Sequence, residues 1–273
     1  MPLTAVRYIR KMRGGAQSHL IAADDGHCYV VKFRNNPQHR RILVNEHIAS
    51  VLLEYLQIAA PRTAIIRLEP SFLREHPDVC ITLGTSRVAI EAGRHFGSRY
   101  PGDPSRLAIY DYLPDALLPG IANLADFRAI LVFDKWVGNA DGRQAIFFRA
   151  SVTEPNRAGS RPAFVAQMID HGFAFNGPHW DFADSPLQGL YPRRLVYDHV
   201  RSLDDFQPWL DLVMHFPEEV VDRALKSLPL EWLENGEEDD LEQLLMRLLA
   251  RRSRLPELLE ASRGNRTSPF VNW

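Results

Sequence analysis

The chain has 273 residues, of which 45% are hydrophobic and 24% are charged, and its formal net charge is -2. This length provides for a large core in one domain or in two lobes, and it excludes a small disulfide-stapled scaffold. The near balance of charge gives no reason to expect bulk attraction to nucleic acid or to an anionic membrane.

Cys28 and Cys80 are the only cysteines. Two cysteines are too few for a disulfide framework or a cysteine-built zinc site, and they fit a reducing compartment. The N-terminal stretch MPLTAVRYIRKMRGG lacks the apolar run of a signal peptide, and the apolar segments elsewhere are too short to span a bilayer. We therefore expect a cytoplasmic protein with no membrane partner and no direct nucleic-acid binding.

Strand-like segments fill the first part of the chain. AVRYIRKM, SHLIAAD and HCYVVKF are separated by RGGAQ and the turn DDG, and they predict a three-stranded antiparallel unit. Residues 37–56 have helical spacing and predict one helix. PRTAIIRL then predicts a strand, residues 69–104 are expected to be irregular, and RLAIYDYLP predicts a strand that ends at Pro114 in a hinge between two lobes.

The second part of the chain is predicted to be mainly helical. LADFRAILVFDKWV predicts a helix, AIFFR and FVAQMI predict two short strands around the loop SVTEPNRAGSRP, and helical patterns follow Asp198. The C-terminal tail is either frayed or docked through Phe270 and Trp273. The predicted fold is therefore α+β with two lobes: residues 1–114 form an antiparallel sheet with one helix, and residues 115–273 form a helical lobe.

The first candidate motif is RGGAQSHL. The paired glycines Gly14 and Gly15 between two strands allow the backbone to approach phosphate oxygens, to which Gln17, Ser18 and the loop N–H groups can donate. The alternative interpretation is an ordinary hairpin turn.

The second candidate is Lys32, which closes the apolar strand YVVKF. Its ammonium can point at nucleotide phosphates while a carboxylate from the following helix, Glu46 in VNEHIA, holds it. Alternatively, Lys32 lies on an edge strand with its amine in water, and Glu46 belongs to a solvated helix face.

The third candidate is the polar loop in WVGNADGRQ, which lies between two apolar runs. Phosphoryl transfer needs a carboxylate that orients or deprotonates the attacking hydroxyl, and Asp141 suits that role. An amide that helps to hold a metal ion could come from Asn139, Asn123 or Gln144, and Arg143 could stabilise charge on the transferred group. The alternative is a loop whose Asp and Asn side chains cap turns.

The fourth candidate is MIDHGFAF, where an apolar strand ends in Asp170 and Gly172 relieves the following turn. A carboxylate at that place can deliver a magnesium ligand to phosphates, although an Asx turn is the alternative. His171 is expected to be a packing or hydrogen-bonding residue. The four motifs occur in the order loop, lysine, glutamate, loop aspartate and strand-end aspartate, each on the expected element.

These motifs resemble those of the HipA-like kinases, which have a protein-kinase-like fold. WVGNADGRQ is similar to the catalytic loop of that family, IDHG is similar to its DFG-type motif, and the resemblance runs from the glycine loop to at least Phe175. It implies that ATP and Mg²⁺ are the cofactors. The implied roles are Lys32 on the nucleotide phosphates, Glu46 as its ion-pair partner, Asp141 as catalytic base, Asp170 as magnesium ligand, and Asp111, Tyr112 and Leu113 as the adenine-binding hinge.

The catalytic loop departs from the pattern of animal-type protein kinases, which carry an asparagine five residues after the catalytic aspartate. Here that position is Ile146. The HipA loop resembles D-G-H-x-K-N, so we interpret DGRQ as a shortened loop in which Gln144 takes the place of the asparagine as a metal or phosphate ligand. The two adjacent glycines also differ from the three spaced glycines of the common kinase loop.

The aromatic and basic residues after Asp170 have two interpretations: they line a site for an acidic acceptor, or they anchor the segment on the helical lobe. They are Trp180, Phe182, Tyr191, Arg193 and Arg194. The leading hypothesis is an ATP- and Mg²⁺-dependent phosphotransferase whose acceptor, because of the resemblance, is a serine or threonine of a protein. The alternatives are a nucleotide-binding pseudokinase that serves as a partner-binding module, and a small-molecule kinase of the same fold.

Overall fold

The computed structural model describes residues 1–153, 159–263 and 268–273. Its first part is a five-stranded sheet that closes on itself, in the order β1 (Leu3–Lys11), β2 (His19–Ala23), β3 (Cys28–Lys32), β7 (Gly93–Arg99) and β4 (Thr63–Leu68). Strands β1, β2 and β3 are antiparallel neighbours, as predicted. The closure is a short parallel pairing of β1 with β4 that the sequence did not indicate.

The helix α1 (Arg41–Tyr55) lies between the sheet and the second half of the chain. It is buried nearly all round, which is the pattern of a helix that packs on two sides. Its residues Leu52 and Leu53 belong to the same large core as Trp136 and Trp232 of the second half. A smaller core that includes Ile21, Ile66 and other residues fills the sheet.

The prediction that residues 69–104 are irregular is wrong. They contain the helix α2 (Pro70–Glu75), the hairpin β5 (Cys80–Leu83) and β6 (Ser86–Ala89), and the central strand β7. Gly93 at the start of β7 and Gly97 inside it weaken its strand pattern. Gly97 is nevertheless required there, because a Cβ at this position would lie 2.5 Å from Cγ1 of Ile66.

The strand predicted in RLAIYDYLP is also absent from the structure, which has only one isolated bridge there, between Tyr110 and Phe147. The segment is therefore an irregular connector between the sheet and the helices. The predicted lobe boundary at residue 114 lies inside this connector.

The second part begins with α3 (Asp126–Val137) and the hairpin β8 (Gln144–Thr153) and β9 (Ser160–Ile169). Residues 154–158, within the predicted loop SVTEPNRAGSRP, lie outside the described residues. Among the described residues, four further α-helices follow: α4 (Trp209–Met214), α5 (Glu218–Lys226), α6 (Glu237–Arg251) and α7 (Leu255–Glu260). In the tail, Phe270 is buried and its ring lies 5.6 Å from that of Tyr197, so residues 268–273 are docked. Within the described ranges, no helix has the length and apolar character needed to cross a membrane.

Candidate active site

The loop in WVGNADGRQ is shaped by the end of α3. Gly138 adopts a left-handed conformation with φ 60°, which ends the helix and lets the N–H of Asn139 donate to the carbonyl of Asp134 at 3.0 Å. Asn139 Oδ1 then accepts from the N–H of Asp141 at 3.2 Å, and the N–H of Gly142 donates to Asp141 Oδ1 at 2.8 Å. These bonds fix the exposed Asp141 carboxylate and leave Oδ2 directed toward Gln144.

Asp141, Gln144 and Asp170 come together at the mouth of the β8–β9 hairpin. Gln144 pairs with Ile169 across the two strands, so Asp170 follows directly beside it. The distances from Gln144 Nε2 are 3.4 Å to Asp141 Oδ2 and 3.3 Å to Asp170 Oδ2. The three side chains that the sequence picked out therefore share one open space.

This donor set fits a magnesium ion. Mg²⁺ prefers oxygen ligands and usually takes one or two carboxylates from the protein, with phosphates and waters completing its shell. The described residues contain no group of three or more His, Cys, Asp and Glu side chains that could hold a metal. Asp170 and the amide oxygen of a rotated Gln144 would be two such ligands, and the phosphates of a bound nucleotide would complete the set.

Lys32 lies at the closed end of the same space. Its ammonium donates to Glu46 and to Asp170, at 2.7 Å from Asp170 Oδ1. Burial alone would lower the pKa of Lys32, but the two carboxylates outweigh burial and raise it. Burial likewise opposes ionisation of Asp170, but the charge of Lys32 and its hydrogen bond lower the pKa of that carboxyl. The cluster therefore carries a fixed ammonium beside an ionised, partly exposed carboxylate.

Arg143 does not face the transferred group, contrary to the expectation from sequence. Its guanidinium is buried and forms an ion pair with Asp134, with Nε 2.8 Å from Oδ2. Nη1 donates to the carbonyl of Ile169 at 2.7 Å, and the backbone N–H donates to Leu190. Arg143 thus ties the loop of Asp141 to the strand end that carries Asp170.

His171 is a packing and hydrogen-bonding residue, as expected. Its Nδ1 accepts from Arg143 at 3.2 Å and its Nε2 donates to the carbonyl of Met168 at 3.2 Å, which is the neutral form with the proton on Nε2. Burial and then the charge of Arg143 lower the pKa of His171 well below its usual value. A permanently neutral imidazole therefore fills this place.

The side chains of the glycine loop RGGAQSHL do not take the positions that the sequence predicted for phosphate binding. Gly14 has φ +114° with open space around the position of a Cβ, and Gly15 lies against the side chain of Gln38. The side chain of Gln17 does not point toward phosphates but bonds the backbone of Thr82 twice: Oε1 accepts at 2.8 Å and Nε2 donates at 2.7 Å. Ser18 is buried. Phosphate contacts in this loop would therefore come from backbone N–H groups.

The remaining candidates lie in two places. Asn123 bonds Asp126 and both backbone groups of Ala166, so it braces α3 against β9 and is not a metal ligand. In the connector, Asp111 and Tyr112 are exposed and Leu113 is buried, with its carbonyl bonded by Arg193. The hinge role of residues 111–113 stays a prediction.

Comparison with known proteins identifies the family of the chain. The family model of the HipA-like kinase matches residues 5–255. The chain belongs to the HipA-like kinase family. Among curated proteins no match was found.

Two solved structures share its fold. The crystal structure of the Helicobacter pylori proinflammatory kinase CtkA is similar with a TM-score of 0.54 and 12% identity, over 94% of this chain and 99% of that one. The crystal structure of the Golgi casein kinase is similar with a TM-score of 0.52 and 15% identity, over 97% and 73% of the two chains. At these identities the likeness shows a kinase-like fold, which agrees with the sheet-rich first part and the helical second part.

Sequence reasoning missed two residues that shape the site. Asp134 lies on the buried face of α3 and holds both Arg143 and Asn139. Asn45, next to Glu46 on α1, is also fully buried. The available signal was a polar residue inside an apolar helical run, since such a residue must have a partner.

Proposed function

We propose that the protein is an ATP- and Mg²⁺-dependent phosphotransferase that acts on a serine or threonine of another protein. The observation that carries this proposal is the convergence of Asp141, Gln144 and Asp170 beside the ammonium of Lys32. Membership of the HipA-like kinase family supports phosphoryl transfer. The Golgi casein kinase, which shares the fold, is named after a protein, and this supports a protein acceptor.

Each side chain has a defined task in this proposal. Lys32 binds nucleotide phosphates through its ammonium, and Glu46 keeps that ammonium in place. Asp141 orients the acceptor hydroxyl and takes its proton as the new phosphate ester forms. Asp170 and Gln144 would hold the magnesium ion, which supplies positive charge to the phosphate oxygens when it is bound. Arg143 and Asp134 fix the position of the Asp141 loop relative to Asp170.

The test is phosphate transfer from ATP labelled at its γ-phosphate, with and without Mg²⁺, to the protein itself and to proteins of a lysate. Asp141→Asn removes the proton acceptor and should lower the rate by about 10²–10⁴-fold. Asp170→Asn should abolish the response to Mg²⁺. Asp222→Asn changes an exposed aspartate on α5 and should leave the rate unchanged.

Other outcomes identify the alternatives. ATP binding without labelling of any protein, and without ATP turnover, would contradict the enzyme and support a nucleotide-binding module. This alternative has one specific observation in its favour, because Ile146 stands where many kinases carry the metal-binding asparagine. ATP turnover with label only in small molecules would instead indicate a small-molecule kinase.

A further inference from the structure

Asn45 on α1 is fully buried and bonds only the segment that follows Asp170, among its described contacts. The amide Nδ2 donates to three backbone carbonyls, and Oδ1 accepts from an indole N–H. The partners are Gly172 at 2.7 Å, Ala174 at 3.0 Å, Gly177 at 2.9 Å and Trp180 at 2.8 Å. One side chain thus serves four points of a nine-residue stretch, residues 172–180.

This segment has an unusual backbone. Phe175, Asn176 and Gly177 are consecutive residues with left-handed φ values of 59°, 58° and 63°, and Trp180 has φ 54°. Residues other than glycine rarely adopt this conformation, and it persists only where surrounding contacts hold it. The amide of Asn45 lies where three carbonyls of this winding converge, so it is a central one of the contacts that hold the conformation.

Two neighbours of Asn45 on α1 grip the same segment. A Cβ at Gly172 would lie 2.5 Å from Cγ2 of Ile42, so the helix rests directly on this glycine. Gly172 is therefore needed for close approach, and the turn is made by Asp170, whose own φ is 61°. Arg41 places its guanidinium 4.1 Å from the ring centroid of Trp180 and donates to the carbonyl of Pro178 at 2.9 Å.

The same helix also reaches Asp170 from the other side. Glu46 holds Lys32, and Lys32 bonds the carboxylate of Asp170. Asn45 and Glu46 are adjacent, so a shift of α1 would move both attachments together. Glu46 thereby fixes the side chain of Asp170 through Lys32. Asn45 fixes the backbone that follows Asp170.

We propose that Asn45 is a positioning residue that ties α1 to residues 172–180 and so holds Asp170 against Lys32 and Glu46 before nucleotide binds. The inference rests on the proposed function insofar as Asp170 and Lys32 serve a nucleotide. Its structural part, that Asn45 orders residues 172–180, holds independently of that function.

The chemistry of the carboxamide defines informative variants. Its NH₂ group has two hydrogens for three carbonyls, so Asn45→Ala leaves three buried acceptors without their donor. Asn45→Asp is nearly isosteric but turns an oxygen toward those carbonyls. An ionised carboxylate is repelled there, whereas a protonated one donates a single hydrogen bond, so the defect of Asn45→Asp should grow as pH rises through the pKa of the new carboxyl.

The control is Ser227→Ala. Ser227 lies at the end of α5 and bonds His47 on α1 at 2.9 Å, so this variant also removes a contact between α1 and the second half, but none to residues 172–180. The experiment compares the wild type and the variants by amide hydrogen exchange in the absence of nucleotide and by calorimetric titration with Mg²⁺ and ATP. Phosphate transfer is measured in parallel as kcat and KM for ATP.

We expect Asn45→Ala to speed exchange in residues 171–180 and to raise the Kd and KM for ATP by about tenfold or more, because three buried acceptors lose their donor. Ser227→Ala should change neither the amide exchange nor the Kd and KM for ATP, even if it lowers Tm as much as Asn45→Ala does. The Kd of Asn45→Asp should rise between about pH 5 and about pH 8, with no matching change in Asn45→Ala.

Equal exchange in Asn45→Ala and Ser227→Ala would overturn the inference, whether or not the wild type transfers phosphate. Faster exchange in Asn45→Ala alone, together with a wild type that transfers no phosphate, would support the positioning role and reject the proposed function. If Asn45→Ala does not fold, Trp180→Phe decides the question. It removes the N–H that Oδ1 accepts while keeping an aromatic ring beside Arg41, and it must loosen residues 172–180 more than Ser227→Ala does.

Discussion

Two groups of charged side chains adjoin each other in the fold, where Arg143 bonds the carbonyl of Ile169 beside Asp170, but they differ in their access to solvent. The sealed pair, Asp134 and Arg143, has side chains that are 0% and 1% exposed. The cleft cluster consists of Lys32, Glu46 and Asp170, and the Asp170 side chain is 34% exposed. A charge that solvent can reach is able to exchange water for a ligand, whereas a sealed pair can only hold backbone in place. We therefore expect the sealed pair to govern folding and the cleft cluster to govern binding.

The largest effect should come from breaking the sealed pair. Asp134→Asn leaves the guanidinium of Arg143 buried without its counter-charge, and the loss of one partner of such a pair costs about 3–5 kcal/mol. Urea unfolding should show that loss in the free energy of unfolding. The double variant Asp134→Asn/Arg143→Met removes both charges and should recover part of it. A double variant that is as unstable as the sum of the two single variants would contradict a direct coupling.

A pH series extends the comparison to buried groups that are neutral. Burial lowers the pKa of His47 to about 4 and that of His95 to about 4, against an ordinary value near 6.5. The unfolded chain therefore takes up protons at a pH where the folded protein does not. The stability associated with each histidine is complete above pH ~6.5, and it falls as the pH drops toward about 4, by up to about 3 kcal/mol per residue.

Urea unfolding from pH ~7 to pH ~4.5 measures this slope. His47→Asn removes one of these titrations and should flatten the slope by about one proton. The exposed His215 provides the control, because His215→Asn should leave the slope unchanged. A wild type whose stability stays constant over this range would mean that the buried histidines take up protons in the folded state.

Substitutions in the cleft cluster should mainly weaken ligand binding, whereas those in the sealed pair should mainly lower the free energy of unfolding. Lys32→Met removes the ammonium that faces the nucleotide phosphates, and the loss of such charge-assisted hydrogen bonds should weaken ATP binding by about 10- to 100-fold. Its stability should fall less than that of Asp134→Asn, because solvent reaches Asp170 and because Glu46, whose pKa is raised by burial, can take up a proton, whereas the guanidinium of Arg143 cannot lose one. Lys226→Met, on the exposed face of α5, is the control for calorimetric titration. A Lys32→Met protein that binds ATP normally but unfolds easily would contradict this expectation, because the cleft cluster would then govern folding as the sealed pair does.

The sequence predicted Lys32, Asp170 and Asp141 because each one lies at the end of a recognisable element. Lys32 ends β3, Asp170 directly follows β9, and Asp141 follows α3. Strand and helix ends can be located from local patterns, and the resemblance to HipA-like kinases supplied the order in which to search for them. Local signals were sufficient for this part of the site.

The direction of individual side chains could not be predicted in the same way. Gln17 turns away from the expected phosphate site because its partner, Thr82, lies in a hairpin within a region expected to be irregular. Arg143 points inward because Asp134 is sealed beneath it. The closing pairs of the sheet, β4 with β7 and β1 with β4, join segments far apart in sequence and leave no local pattern. Long-range partners therefore account for what the sequence missed.

The smallest expected effect concerns Gln144, which lies between the two carboxylates of the open space and has no counterpart in the sealed pair. Gln144→Ala removes the amide oxygen offered to magnesium and should raise the Mg²⁺ concentration for half-maximal phosphate transfer by about tenfold. Gln144→Asn keeps the amide on a stem one methylene shorter, so it should lie between alanine and wild type. Gln243→Ala, on the exposed face of α6, should not change the Mg²⁺ response. An unchanged response in Gln144→Ala would leave Asp170 as the one proposed protein ligand of Mg²⁺, and Gln144 would then act only as a bridge between Asp141 and Asp170.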